Sequence, residues 1–337
     1  MNRILSLLIA LVLASASSNQ DALRVTSDTD SLQEVAGDST RLLMDTDSMV
    51  SAVNDSLELS IEDTLSIDGS TDTLSAESEA PDTSEVAPPG MAKFAMNIKK
   101  TKFAYFDTTH SIDRVIKTDA FKLGEELEFV IRYGPVVAGS ATMAIPEIKK
   151  IKGRECYHIV SEARSSKFFS AFFRVRDRVE SYMDAKGLFS WRFEKHLREG
   201  NFRADQYVEK DHYLNIAVTD KKDTLRIPPC IQDILTAFYY VRTLPMEVGK
   251  SVFIDTYADK KLYPLEVKVL GRERIKTSAG TFNCIVIEPM LRGDAIFKQR
   301  GRLTIWMTDD HRKIPVLMKS KVLIGSIIAE IKRIKGA

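Results

Sequence analysis

From about residue 121 onward, apolar and polar residues alternate with a period of two in short runs. Glu126-Leu127-Glu128-Phe129-Val130-Ile131-Arg132-Tyr133 is one such run; Val175 to Met183, Leu265-Glu266-Val267-Lys268-Val269 and Arg302 to Met307 are others. Successive side chains of a strand point to opposite faces, so each run predicts a strand with one face in a core and the other toward water. Turn signals punctuate the runs at Gly134-Pro135, Lys152-Gly153, Gly187, Gly200-Asn201, Ala279-Gly280 and Asp309-Asp310. Strands recurring every ten to twelve residues or so with short connections predict antiparallel meanders, about six strands in each half.

One segment breaks the alternation. Pro228-Pro229 lead into Ile231 to Arg242, and Leu244-Pro245 ends it, which predicts a helix over about 230–243. Asp233 falls in its first turn and Arg242 in its last, each favoured by the helix dipole, and Gln232, Asp233 and Arg242 are its expected structural residues. The middle is apolar nearly all round, the mark of a buried helix rather than a surface one.

The pattern also repeats. Residues 121–212 and 246–337 match about 125 positions apart: Leu123-Gly124 with Leu127 and Phe129 answers to Val248-Gly249 with Val252 and Ile254. Arg176, Arg178, Val179, Tyr182 and Met183 answer to Arg300, Arg302, Leu303, Trp306 and Met307, and Gly200 to Gly325. Two units are too few for a solenoid, so they are expected to complete one core. The predicted fold is mainly β: a duplicated antiparallel meander forming a strongly curved sheet or barrel around one buried helix.

Charge divides the chain. Residues 21–90 hold seventeen acids against Arg24 and Arg41, a net of −15, whereas from residue 116 forty Lys and Arg face twenty-eight acids, a net of +12. Residues 17–117 are read as a disordered acidic tail, too polar to offset chain entropy, and 118–337 as the β domain. Residues 1–16 read as a signal peptide: Arg3, then the apolar run Ile4 to Leu13, then Ala14-Ser15-Ala16. No later stretch is long enough for a membrane helix, so the mature protein is expected to be soluble and periplasmic.

Within the tail, Asp followed by Ser or Thr and then usually an apolar residue recurs at Ser31, Ser39, Ser48, Ser56, Thr64 and Thr73. That pattern resembles the acceptor of a general bacterial O-glycosylation system; the alternative reading is a plain acidic spacer.

Little in the chain points to chemistry. Cys156, Cys230 and Cys284 cannot all pair and read as small buried hydrophobes, although Cys230 opens the expected helix, where a thiol can be acidified. His110, His158, His196, His212 and His311 are scattered without ligand spacing, so no metal is expected, and no cofactor signature occurs. G-x-S-x-G is absent, and Glu125-Glu126 and Asp309-Asp310 are neighbours that a strand turns to opposite faces. Catalytic residues are therefore expected to be none, and nucleic acid is a poor partner.

Two constellations remain. Arg174, Arg176 and Arg178 alternate along one strand, with Arg300 and Arg302 on its counterpart, a row suited to anions or to a solvated ionic face. Just before them stand Phe168, Phe169, Phe172 and Phe173, which either line the mouth of a site for an amphiphile with an anionic head or cap the core.

Gly124-Glu125, the Gln232-Asp233 pair with Phe238-Tyr239-Tyr240-Val241-Arg242, and Trp306 followed by Asp309 and Ile314-Pro315-Val316 resemble the exported bacterial family known as domain of unknown function 3108. The resemblance spans about 118–335 and implies a periplasmic β-rich domain with no catalytic residues to carry over. The reading is a non-enzymatic envelope protein that binds a lipid, a glycan or another amphiphilic or anionic component. The alternatives are a structural or assembly factor docking to an envelope protein and a hydrolase of envelope polymers.

Overall fold

The computed structural model describes residues 109–291, 302–321 and 325–337. The expected signal peptide, the acidic segment up to residue 108 with Ser31, Ser39, Ser48, Ser56, Thr64 and Thr73, and Arg300 lie outside the described residues.

Among the described residues, fourteen strands form one antiparallel sheet. In chain order they are β1 Glu126–Tyr133, β2 Val136–Ile151, β3 Arg154–Ser165, β4 Arg176–Asp184, β5 Ser190–Glu199, β6 Phe202–Asp211, β7 Ile216–Thr219 and β8 Thr224–Arg226. After the helical segment come β9 Ser251–Ala258, β10 Lys261–Thr277, β11 Gly280–Leu291, β12 Leu303–Thr308, β13 Pro315–Lys321 and β14 Ser326–Lys335. Short helix α1, Lys167–Ser170, lies between β3 and β4; α2, Ile234–Tyr240, lies between β8 and β9 and runs into a 3-10 turn at Val241–Thr243.

The spatial order is β8-β7-β6-β5-β4-β3-β2-β1-β14-β13-β12-β11-β10-β9. The first strand therefore sits inside the sheet, between β2 and β14, and the edges are β8 and β9. A barrel was one of the two expected forms, but the sheet is not closed. β8 has three residues, too short to ladder along the eight of β9. The segment before α2 lies against β9 instead: Gln232 N–H donates to Asp255 O at 2.9 Å and Tyr257 N–H to Gln232 O at 2.8 Å.

Alternation decides which side chains enter the core. Leu127, Phe129 and Ile131 of β1, Val175, Val179 and Met183 in and before β4, Val267 and Val269 of β10, and Ile327, Ala329 and Ile331 of β14 share one contiguous apolar cluster. The cluster draws on both halves of the chain and also holds Leu235, Ala237, Phe238 and Tyr239 of α2. α2 is shorter than the helix expected over 230–243 because Asp233 terminates it: its carboxylate accepts the Thr236 N–H at 2.8 Å while the Thr236 hydroxyl accepts the Asp233 N–H at 2.9 Å. Cys230 consequently precedes the helix, with φ 58°, and burial pushes its thiol up to about 11.

The strand spans recur. β1 and β9 differ by 125 at both ends, β2 and β10 by 125 at the start, and β5 and β13 likewise. The register irregularity between Tyr182 and Met183 in the β4–β5 pair has its counterpart between Trp306 and Met307 in β12–β13. Gly124 and Gly249 have φ of 87° and 84°, and each donates its N–H to a neighbouring strand, to Ile145 O of β2 and Val269 O of β10, both at 2.9 Å. β7 and β8 lie between the first unit, 121–212, and α2.

Before β1, the chain already touches the domain. Ile116 N–H donates to Lys186 O, Arg114 Nε donates to Gly187 O at 2.7 Å, and the Arg114 guanidinium lies over the rings of Phe189 and Tyr240. The packed region thus begins a few residues ahead of the boundary expected at 118.

Candidate functional site

Three connections meet at one end of the sheet: the β1–β2 turn, the β3–β4 connection that contains α1, and the β5–β6 turn. Ser166 builds the middle one. Its hydroxyl accepts the Phe169 N–H, capping α1, and its own N–H donates to Ala138 O of β2 at 2.8 Å. Gly200 N–H then donates to Arg174 O at 2.8 Å, tying the β5–β6 turn to the same connection. Gly200 has φ 55°, and a Cβ there would lie 2.7 Å from the Phe173 ring, so this close approach requires glycine.

The four phenylalanines divide. α1 ends at Ser170, so they do not form the single helical face that their spacing allows. Phe169 and Phe173 are half-buried and pack on the core, whereas Phe168 and Phe172 are 67% and 75% exposed with their ring centroids 5.6 Å apart. Val136, Val137 and Phe202 add exposed apolar surface on the two neighbouring turns. Large aromatic side chains left this open to water are unusual unless a partner covers them.

The arginine row divides as well. Arg174 and Arg176 are exposed beside the phenylalanines, together with Lys167. Arg176 stands directly opposite Arg164 of β3, a like-charge pairing that leaves the patch cationic, although Arg164 also bonds Glu162 at 2.9 Å. Arg178 is drawn away: its Nε donates to Glu180 Oε1 at 2.5 Å and its Nη1 to Glu162, which raises the guanidinium pKa further. Arg302 is likewise engaged, with Glu288. The structure therefore brings Phe168, Phe172, Arg174 and Arg176 into one exposed rim and leaves Arg178 in an ionic ladder.

That ladder holds the one group of residues, among those described, placed to hold a metal ion: Glu180, Glu194 and His196, with donor atoms within 4.8 Å of one another. Its charges are already matched. Glu180 is bonded by Arg178 and by His158 Nε2, and His196 Nδ1 lies 2.7 Å from Asp205. Burial raises the Glu180 pKa, but Arg178 and His158 outweigh it and hold the carboxyl below its ordinary value.

The deepest polar groups serve α2. Asp233 accepts hydrogen bonds from the hydroxyls of Ser181 and Ser190, and Lys210 Nζ donates to Ser190 Oγ at 2.7 Å with the Asp233 carboxylate 3.7 Å away. Burial lowers the Lys210 pKa. A serine hydroxyl on a lysine of lowered pKa has the chemistry of a nucleophile and its base, but Ser190 and Lys210 are fully buried, so no substrate reaches Ser190 Oγ in this arrangement. At the other end of the helical segment, Arg242 donates to both oxygens of Glu125, at 2.7 and 2.8 Å, and to Ala120 O and Arg312 O. Gln232 Nε2 donates to Leu188 O at 2.7 Å. The three thiols are free and buried, and burial pushes Cys156 to about 12 and Cys284 to about 11.

Sequence reading missed the buried charges Asp177, Lys195, Glu199 and Lys210. The signal was present, since Val175, Asp177, Val179 and Ser181 share the parity of an inward face.

The family described as "Protein of unknown function (DUF3108)" matches residues 128–332, more than half of the chain. No curated protein matches the chain. Among solved structures, a β-barrel-like protein of domain of unknown function DUF1849 from Brucella abortus aligns with TM-score 0.43 at 9% identity, covering 64% of this chain and 98% of its own. A predicted lipoprotein from Parabacteroides distasonis aligns with TM-score 0.30 at 9% identity, covering 65% and 99%. A predicted exported protein with a YmcC-like fold from Bacteroides fragilis aligns with TM-score 0.27 at 12% identity, covering 64% and 97%.

Proposed function

We propose, for a chain that belongs to the DUF3108 family of proteins of unknown function, an exported envelope protein that binds an anionic amphiphile at its surface without catalysis. The observation that carries this reading is the rim, where Phe168 and Phe172 stand out of the fold beside Lys167, Arg174 and Arg176. Apolar rings flanked by cations match a surface in which hydrocarbon lies under anionic head groups. One face of the sheet carries a contiguous apolar cluster, which supports contact at the rim rather than enclosure of the ligand. Export is supported by the composition of residues 1–16, and no helix among the described residues is long and apolar enough to cross a membrane. The recurring strand spans support descent from one duplicated unit whose copies share a core around α2.

Vesicle co-sedimentation tests the reading. The parent should bind phosphatidylglycerol vesicles, and binding should weaken as salt is raised, because exposed charges are screened within about 8 Å at physiological ionic strength. Each phenylalanine contributes about 1.5–3 kcal/mol when fully transferred from water. Phe168→Ser with Phe172→Ser should therefore cut binding at least about tenfold, while the unfolding midpoint stays put because both rings are mostly exposed. Absence of vesicle binding by the parent would refute lipid engagement and favour the second reading, docking to an envelope protein through the same rim.

A further inference from the structure

Asp177 and Glu199 are two acids that β4 and β5 turn inward at the rim end of the sheet. They are 3% and 7% exposed. Asp177 Oδ1 accepts the Arg198 N–H at 2.8 Å, whereas Asp177 Oδ2 and Glu199 Oε1 have no protein donor, and the two carboxyl groups lie within hydrogen-bonding reach of each other. A buried carboxyl group set beside a second one takes up a proton more readily than an isolated one. Burial, reinforced by the Glu199 charge, pushes Asp177 up to about 7.

Their position gives the proton a mechanical role. Glu199 bridges to Val175 on one side and pairs with Phe202 of the rim on the other. The next residue is Gly200, whose N–H holds Arg174 O and whose backbone lies under the Phe173 ring. Backbone bonds beside the pair thus fasten the β3–β4 connection to the β5–β6 turn beneath the exposed aromatics. We propose that Asp177 and Glu199 form a one-proton latch that holds the rim closed, and that its opening regulates engagement of an anionic amphiphile. The ligand in this proposal rests on the function proposed above; the opening does not.

The charges around the pair are few. On β5 the Arg198 guanidinium is bonded to Asp205 on the outer face, and Lys195, on the inner face, pairs with Asp259 at 3.5 Å. On β4 Arg176 and Arg178 flank Asp177 in the chain and so point to the opposite face. On β3 the residue opposite Asp177 is Ala163, flanked by Glu162 and Arg164 on the outer side. On β6 Ala204 stands opposite Leu197, and Arg203 bonds Gly200 O and Phe202 O. Arg174 is exposed at the connection itself.

The folded value of Asp177 is raised, so the latch is fully closed below its ordinary value of 3.8 and its hold is lost as pH rises through about 7. Opening releases one proton across that range, and the opening constant should climb about tenfold per pH unit between roughly 4 and 7 and level off above. Amide exchange of the full chain without vesicles, corrected for base-catalysed intrinsic exchange, should follow this slope at Gly200 and Val175. Asp177→Asn keeps the acceptor for Arg198 N–H and donates permanently to Glu199, so the slope should vanish; Glu199→Gln gives the same test if the first variant does not fold. A flat profile in the parent, or an unchanged slope in the folded variants, overturns the latch. Opening frees Phe169 and Phe173, so binding to phosphatidylglycerol vesicles should strengthen from pH 5 to pH 8 in the parent but not in Asp177→Asn. Vesicle binding that ignores pH while exchange follows it overturns the regulatory role. Exchange that follows pH with no vesicle binding at all leaves the latch standing and removes the ligand.

Discussion

Replacing Arg242 with Met isolates a fully buried ion pair of the domain. Arg242 and Glu125 are both buried, and the guanidinium satisfies both carboxylate oxygens as well as the carbonyls of Ala120 and Arg312. Its plane also lies over the rings of Phe121 and Tyr239, with centroids at 5.5 and 5.3 Å. Methionine fills much of the volume and keeps the apolar stem contacts, but it strands the Glu125 carboxylate without a cation. Removing one partner of a buried pair costs about 3–5 kcal/mol, a large share of a total stability of about 5–15 kcal/mol. In a domain of this size each kcal/mol moves the midpoint by about 2–4 °C, so thermal unfolding should fall by roughly 10 °C. The double variant Glu125→Gln with Arg242→Met should recover most of that loss, because the stranded charge is gone. A single variant that loses less than about 1 kcal/mol, or a double variant as unstable as the single, would refute the assignment of Glu125 and Arg242 as the clamp between the start of β1 and the end of the helical segment.

Burial lowers the His212 pKa from 6.5 to about 4, so the fold holds the neutral ring, and stability should be full above pH 6.5 and decline by about 3 kcal/mol as pH falls to 4. His212→Gln, which retains a donor for Ser190 O, should remove that decline in urea titrations across pH; an unchanged difference between pH 4 and 7 would contradict it. A chain beginning at Thr109 should unfold at the same midpoint as the full chain, whereas one beginning at Ile116 loses the Arg114 contacts to Gly187, Phe189 and Tyr240 and should be less stable by about 1–3 kcal/mol in calorimetry.

The strand runs were legible because period-two alternation is a local property, and β1 and β12 lie where their alternation placed them. Closure was not legible, because it depends on whether the two edge strands match in length, and β8 is three residues long. The helix was legible in place but not in extent: Asp233 was read as a first-turn acid favoured by the dipole, while its side chain acts as the N-cap, which moves the start to Ile234. At the rim, the spacing of the phenylalanines identified a cluster but not its division, since which rings turn outward follows from where α1 stops and from Gly200 meeting Phe173. Asp177 and Glu199 were not legible because an acid on the inner parity of a strand looks, in sequence, like the charges of its outer face.

The place of β1 between β2 and β14 also constrains the order of folding. A ribosome releases β14 after the other thirteen described strands, yet β14 supplies one whole flank of the first strand, pairing Glu126 with Lys335 and Tyr133 with Ile327. These are among the longest sequence separations in the domain, and contacts of that kind slow folding because the loop-closure entropy must be met before they form. Until β14 has emerged, β1 presents an open edge of eight residues, and an open edge is a template for pairing with other chains. A nascent or C-terminally truncated form should accordingly depend on chaperones that shield strands, and the domain should become independent of them when Lys335 and its neighbours are in place.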